Sequence, residues 1–397
     1  MFKFCGKCKY LFLGVLMALG IASCVYDYTP QEKDIEGLDR PLVVIDGDII
    51  VGGITNVHIK LTEQLLEEEH EIPLGASVWV ETEAGEVLNG IPVDGNPNKF
   101  EVNTSELELS GRYRLVASVP GRGEYVSSFK GVLVSPPIDS ITYSLPDDRS
   151  YARIEVTTHN NSTDELLYCK WTYSENWESN SYYRAVLGYD IMYSKMLQLT
   201  EAEIDRRTYC FSEAESVGTY IANTEKLVEN VIYKFVVNDI PNTDSRLTGL
   251  YAITVRQTAL DKEAFEYWKN VRTNSTELGG LFSPQPSEII GNVKNATNPD
   301  ETVLGYVNVT TQQSRRVFFN WAEKEIFITD CHIAEVPNKT GDASINNVWN
   351  LYYRNGYRPI SYPMDEMGAG SIAYWAAEKC VDCTSYSNST KPDFWPR

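Results

Sequence analysis

The sequence predicts a mostly β protein. An N-terminal immunoglobulin-like β-sandwich is expected over residues 41–136, followed over residues 137–397 by a larger β-rich domain with a few short helices. Three observations carry that expectation. Between Leu42 and Val134 apolar and polar residues alternate: Val57, Ile59 and Leu61 against His58, Lys60 and Thr62, and Tyr113, Leu115, Ala117 and Val119 with mostly polar partners. That period of two belongs to half-buried antiparallel strands. Turn signals at Gly52-Gly53, Gly85, Asp94-Gly95-Asn96-Pro97 and Gly121 divide the segment into about seven strands, the number in such a sandwich. Of the 397 residues 43% are hydrophobic, with 25 Tyr and 13 Phe, enough for a sizeable core and too many for a disordered chain.

Residues 1–23 read as an export signal. Lys3, Lys7 and Lys9 precede an apolar run from Tyr10 to Ala22, whose 13 residues fall short of the ~20 that a spanning helix needs. The run ends in Ile21-Ala22-Ser23-Cys24, small residues before a cysteine, which resembles the bacterial lipoprotein box. Cys24 is therefore the candidate lipidation site, and acyl chains there would make a long-lived anchor because each buried CH₂ contributes ~0.8 kcal/mol. Val25, and not an Asp, follows it, which under that resemblance implies the outer membrane. Residues 24–40, polar and carrying Pro30, read as a flexible tether.

Charge excludes some functions. Net charge is −20, and between Cys24 and Pro136 there are 8 cations against 20 anions. A nucleic-acid partner is not expected, because phosphate contacts need clustered cations. The four His (His58, His70, His159, His332) have no helical spacing that would suit a zinc protease, and no nucleophile elbow or phosphate loop occurs. The acidic run Glu67, Glu68, Glu69 and Glu71 lacks the alternating ligand spacing of a calcium loop and reads as solvated. No enzyme activity, metal or cofactor is expected.

Pro136-Pro137 interrupts the strand pattern and marks the boundary. Beyond it, strands are expected at Ile154–Thr157, Ile232–Val237, Leu250–Val255, Val317–Asn320 and Glu325–Thr329. Thr200 with Glu203 forms a capping box for one short helix. Asp261 is the N-cap of a second, with Leu260 and Phe265 as a hydrophobic staple and Ala264, Phe265, Trp268 and Val271 as its apolar stripe.

Five cysteines remain once Cys5 and Cys8 leave with the signal and Cys24 is acylated, so at most two bridges form and one thiol stays unpaired. Cys380-Val381-Asp382-Cys383 lacks the βαβ setting of a redox pair and the second pair of a zinc ribbon. Structural disulfides suit an exported protein, and Cys331 is the natural long-range partner for Cys380 or Cys383. Aromatic residues crowd Tyr168–Tyr193. Trp171 and Tyr173 read as core, whereas Trp177, Tyr182 and Tyr183, set among polar residues in a loop-like stretch, are the ligand-binding candidates.

The ending Cys380-Val381-Asp382-Cys383 … Lys391-Pro392-Asp393-Phe394-Trp395 resembles that of the domain of unknown function 4249 family, lipoproteins of Bacteroidetes. Gly279–Ser287, Gly291-Asn292, Val303–Tyr306, Ser314-Arg315-Arg316 and Pro136–Ile141 agree, while Ser283 and Ser387-Asn388 stand where the family pattern has Asp and a Gly pair. The resemblance implies a lipid-anchored outer-membrane protein, often encoded beside a TonB-dependent transporter, and implies no reaction. The expectation is a surface lipoprotein that serves such a transporter as a non-enzymatic accessory or substrate-binding partner. The alternative is a stand-alone glycan- or peptide-binding lipoprotein.

Overall fold

The computed structural model describes residues 41–62, 75–160, 165–190, 192–193, 195–276, 289, 291–337, 348–363 and 372–396. The signal, Cys24, the tether, the Glu67–Glu71 run and the Gly279–Ser287 block lie outside them. Two compact units are distinguished. Of the first, the described residues include Leu42 and Thr62, joined by Thr62 N donating to Leu42 O and Leu42 N to Thr62 Oγ1, both at 2.9 Å. The rest of the description concerns the second.

Seven strands, Val43–Asp46, Ile54–Leu61, Ser77–Thr82, Val87–Val93, Asn96–Asn103, Arg112–Val119 and Gly123–Ser127, form most of one hydrogen-bonded run. The alternation seen in the sequence is the alternation of burial. Val57, Ile59, Val78, Val80, Phe100, Val102, Tyr113, Leu115, Ala117 and Val119 are all buried. Burying each such side chain contributes ~1.5–3 kcal/mol, which fixes the register.

That sandwich is not contiguous in sequence. Val293–Asn295 pairs antiparallel with Gly123–Ser127, Val303–Leu304 pairs parallel with Val43–Asp46, and Val309–Thr310 pairs parallel with Ile49–Ile50. The run therefore begins and ends in strands from one returning segment. Glycine makes the return possible: a Cβ on Gly291 would lie 1.8 Å from Gly305 O, and Gly305 itself has φ +150° with Ile45 O behind it.

Residues 138–321 build a second sandwich. A three-stranded sheet (Ile138–Ser144, Tyr151–His159, Val231–Pro241) faces a five-stranded one (Phe211–Glu215, Tyr168–Glu178, Leu250–Ala259 and Gln312–Asn320, with Tyr220–Asn223 also on Tyr168–Glu178). Between them pack Ile141, Ile154, Val156 and Val237 against Trp171, Tyr173, Ile253 and Val255, closed by Trp321. Trp171 stacks on Phe235 at 4.7 Å and donates its indole N–H to the fully buried Gln257 at 2.8 Å, so its polar edge is satisfied.

The helices stand where their caps put them. Thr200 and Glu203 form the capping box of Glu201–Thr208. Asp261 Oδ1 accepts from Ala264 N at 2.7 Å ahead of Lys262–Thr276, and Leu260, Ala264 and Phe265 join one buried cluster with Trp268 and Val271 beside it. One expected strand is absent: Glu325–Thr329 has no ladder. Glu325 takes a left-handed φ of 51° after a 3₁₀ turn and throws the chain off the sheet, leaving Ile326 buried and Ile328 exposed with its N–H on Asn242 O. The final module pairs Ala334–Pro337 and Tyr357–Ser361 with Ile372–Ala377 around the buried Trp375.

Candidate functional site

Strand alternation decides which side chains the five-stranded sheet shows outward. On Tyr168–Glu178 the residues Trp171, Tyr173 and Glu175 enter the sandwich, which turns Lys170, Thr172, Ser174 and Asn176 the other way. Cross-strand register then sets Lys170 beside Thr258 and Gln312, Thr172 beside Arg256 and Ser314, and Ser174 beside Thr254 and Arg316. The outer face is thus a polar floor with a cation in every row.

Two recesses lie along that floor. One, about 550 Å³, is walled by the first sandwich through Asp48, His58 and Lys99 and floored by Lys170, Arg256 and Thr258. Lys170 is held there between Asp48 and the face of Trp268, 4.4 Å away. Burial, with Lys60 and Lys99 adding like charge, holds His58 below its usual value, so it is neutral at physiological pH.

The other is a larger open cleft of about 1110 Å³. Its floor is Ser174, Asn176, Glu213, Glu215 and Arg316, and its wall is the C-terminal tail through Ser387–Thr390, Pro392 and Phe394. Glu215 lines both recesses and pairs with Arg256 at 3.4 Å. Arg316 is fixed differently. Its Nε donates to Thr254 Oγ1 at 2.8 Å and its guanidinium lies 3.4 Å from the ring centre of Phe394.

The tail reaches this position through covalent and polar ties. Cys331–Cys380 and Cys210–Cys383 are disulfides, and Cys169, fully buried, is the free thiol among the described residues. Burial pushes the Cys169 thiol well up, which makes it unreactive. Asn388 brackets the Glu213 backbone, accepting from its N–H at 2.9 Å and donating to its carbonyl at 3.1 Å, as a paired strand residue would. Trp395 is buried edge-on against Phe211 and Phe318, with its N–H on Glu178 at 3.2 Å.

Beneath the floor lies a buried charge network. Glu175 receives hydrogen bonds from Arg246, Asn238 and Tyr251, and Arg246 also pairs with Asp244 at 2.8 Å. Desolvation outweighs those donors and holds the Glu175 carboxyl above the ordinary range; it also pushes Tyr251 well up. Buried on the core face of the sheet, with Glu175 also among the residues lining the cleft, this network is an internal brace.

The three aromatic candidates part company. Trp177 lies within the strand Tyr168–Glu178, not in a loop, and packs against the sandwich core. Tyr183 packs in the cluster around Cys331 and Cys380, its hydroxyl donating to Cys331 O at 3.0 Å. Tyr182 is 54% exposed and meets Tyr183 edge-on. None of them lines the cleft. Cys331, Cys380 and Cys383 are bridged, and Cys210 is the partner that spacing could not single out. Also missed were Arg256, Arg316, Glu213 and Glu215. The alternation of Gln312–Asn320 could have placed Arg316 with Ser314 and Phe318 on one face, but not which face.

Among the described residues no group of His, Cys, Asp and Glu is arranged to hold a metal ion, and no helix is long and apolar enough to cross a membrane. No curated protein matches the chain. Residues 27–316 match a family described as a domain of unknown function, DUF4249, covering both sandwiches up to Arg316. The chain belongs to the DUF4249 family.

Proposed function

We propose that this protein is a binding lipoprotein, tethered through Cys24 to the outer membrane, that serves a TonB-dependent transporter in nutrient uptake as a non-enzymatic accessory.

 

The open polar cleft beside a rigidly held tail carries this reading. It offers hydroxyls, amides, the carboxylates of Glu213 and Glu215 and one stacked guanidinium, groups that hold a polar solute by hydrogen bonds. The lipoprotein box at Cys24 and the polar tether of residues 24–40 support membrane attachment at a reach that lets the domains turn toward a neighbour. Confinement near the membrane raises the effective concentration of any transporter contact, so a weak interface suffices. The acidic N-terminal sandwich would be repelled by an anionic surface and so stand away from it.

Deletion of the gene tests this. Uptake of the partner transporter's substrate should fall, and wild type should restore it whereas Cys24→Ala should not. Unchanged growth on every nutrient tested would instead favour a stand-alone binder, the second reading, for which the same cleft speaks.

A further inference from the structure

We propose that the large cleft takes an extended oligosaccharide bearing a carboxylate, with that carboxylate seated on Arg316. This rests on the binding role proposed above and names its ligand class. Arg316 is pre-organised: Nε is fixed on Thr254 and the guanidinium plane is stacked on Phe394, while no carboxylate stands in ion-pair range among the described residues. Its two terminal amino groups keep their donors for a planar anion, the geometry in which Arg binds carboxylate in bidentate fashion. Arg256, by contrast, is already neutralised by Glu215 and bonded to Ser174 Oγ at 3.1 Å.

The remaining lining selects hydroxyl groups. Side chains of Ser, Thr, Asn and Glu dominate it, and the apolar ones are Ala214, Pro392 and Phe394, too few to bind the apolar side chains of a peptide. Ser389 Oγ is buried without a hydrogen-bond partner. Glu213, whose Oε2 accepts from Asn176 at 3.3 Å, has no cation and is suited to sugar hydroxyls, which donate to it. Glu213 and Arg316 stand on strands three spacings apart, about 14 Å at the usual strand separation, so only a ligand of several units reaches both. Repulsion from Glu213 orients that ligand with its carboxylate toward Arg316.

Calorimetric titration of the purified full-length lipoprotein tests this, with no transporter present, so failure of the transporter partnership leaves the result unaffected. The probes are uronate pentamers, here neutral pentasaccharides that end in a single galacturonate, glucuronate or mannuronate, the same pentamers with that carboxyl group reduced to an alcohol, and pentaglutamate. At least one uronate pentamer should bind, and reduction should weaken it by about tenfold or more, as should Arg316→Gln, because a charge-assisted hydrogen bond is lost. Arg316→Lys should recover part of the loss, and Phe394→Ala should weaken binding without lowering the melting temperature. Equal affinity for the reduced pentamer, tighter binding of pentaglutamate, an unaffected Arg316→Gln, or no uronate binding at millimolar concentration would each overturn the proposal.

Discussion

Asn388 completes the edge of the strand Phe211–Glu215 by hydrogen-bonding both the N–H and the carbonyl of Glu213, although the two residues are 175 positions apart. A side-chain amide there does what a strand neighbour would do. The tail therefore forms part of the cleft as a fixed wall. Trp395 is its apolar anchor, and Phe394 is the surface on which Arg316 rests.

Trp395→Ala should release that wall. Truncating a buried Trp costs ~3–5 kcal/mol in a core, with the low end expected at a chain terminus that can relax. Hydrogen exchange at residues 386–395 should rise far more than in either sandwich. Uniform acceleration across the protein would show that the tail is part of the global core instead.

The disulfides make a pairing prediction. Non-reducing peptide mapping should recover Cys210 joined to Cys383 and Cys331 joined to Cys380, with Cys169 labelled by thiol reagents only after unfolding. Cys383→Ser or Cys331→Ser should each cost ~2–5 kcal/mol, read as a lower melting temperature. A bridge from Cys380 to Cys383, or full labelling of either in the native protein, would contradict the arrangement.

Arg246→Met should destabilise by ~3–5 kcal/mol, because it leaves Glu175 ionised in the core without its cation. The loss should depend on pH in a defined sense. Burial already holds the Glu175 carboxyl above its usual 4.5, and removing Arg246 raises it further. A raised folded-state pKa means that the group's stabilising contribution is fully present below its unfolded value and is lost as pH rises through the folded one. Melting temperatures of variant and wild type should accordingly converge in acid and separate toward neutral pH. A gap that widened in acid would refute the assignment.

The aromatic candidates are separated by burial. Trp177→Ala should lower stability by ~3–5 kcal/mol as a core truncation, and Tyr182→Ala should change it by less than ~0.5 kcal/mol. Trp177→Phe should be tolerated well, since the Trp177 indole N–H is buried without an acceptor. Circular dichroism melts distinguish these outcomes.

What the sequence could show follows from the range of each interaction. Val57 and Ile59, or Asp261 and Ala264, interact through their own strand or turn, so alternation and capping revealed them directly. The pairing of Val303 with Val43 does not, because a two-residue strand has no period and its partner lies 260 positions away. Glu325–Thr329 shows the converse: Ile326 and Ile328, which a strand would put on one face, are buried and exposed respectively, and the segment has no ladder. Trp177 looked loop-like because Glu175 and Asn176 beside it are polar. Both are largely buried, Glu175 by its pairing with Arg246 and Asn176 under the cleft. The cleft itself was invisible because Ser174, Arg316 and Phe394 come from three distant segments.

The transporter partnership can be read by purifying the lipidated protein from native outer membranes in mild detergent. A β-barrel transporter of larger mass should elute with it in fixed stoichiometry and be absent when Cys24→Ala replaces the wild type. Elution of the lipidated chain alone, at every detergent concentration that keeps it soluble, would contradict it.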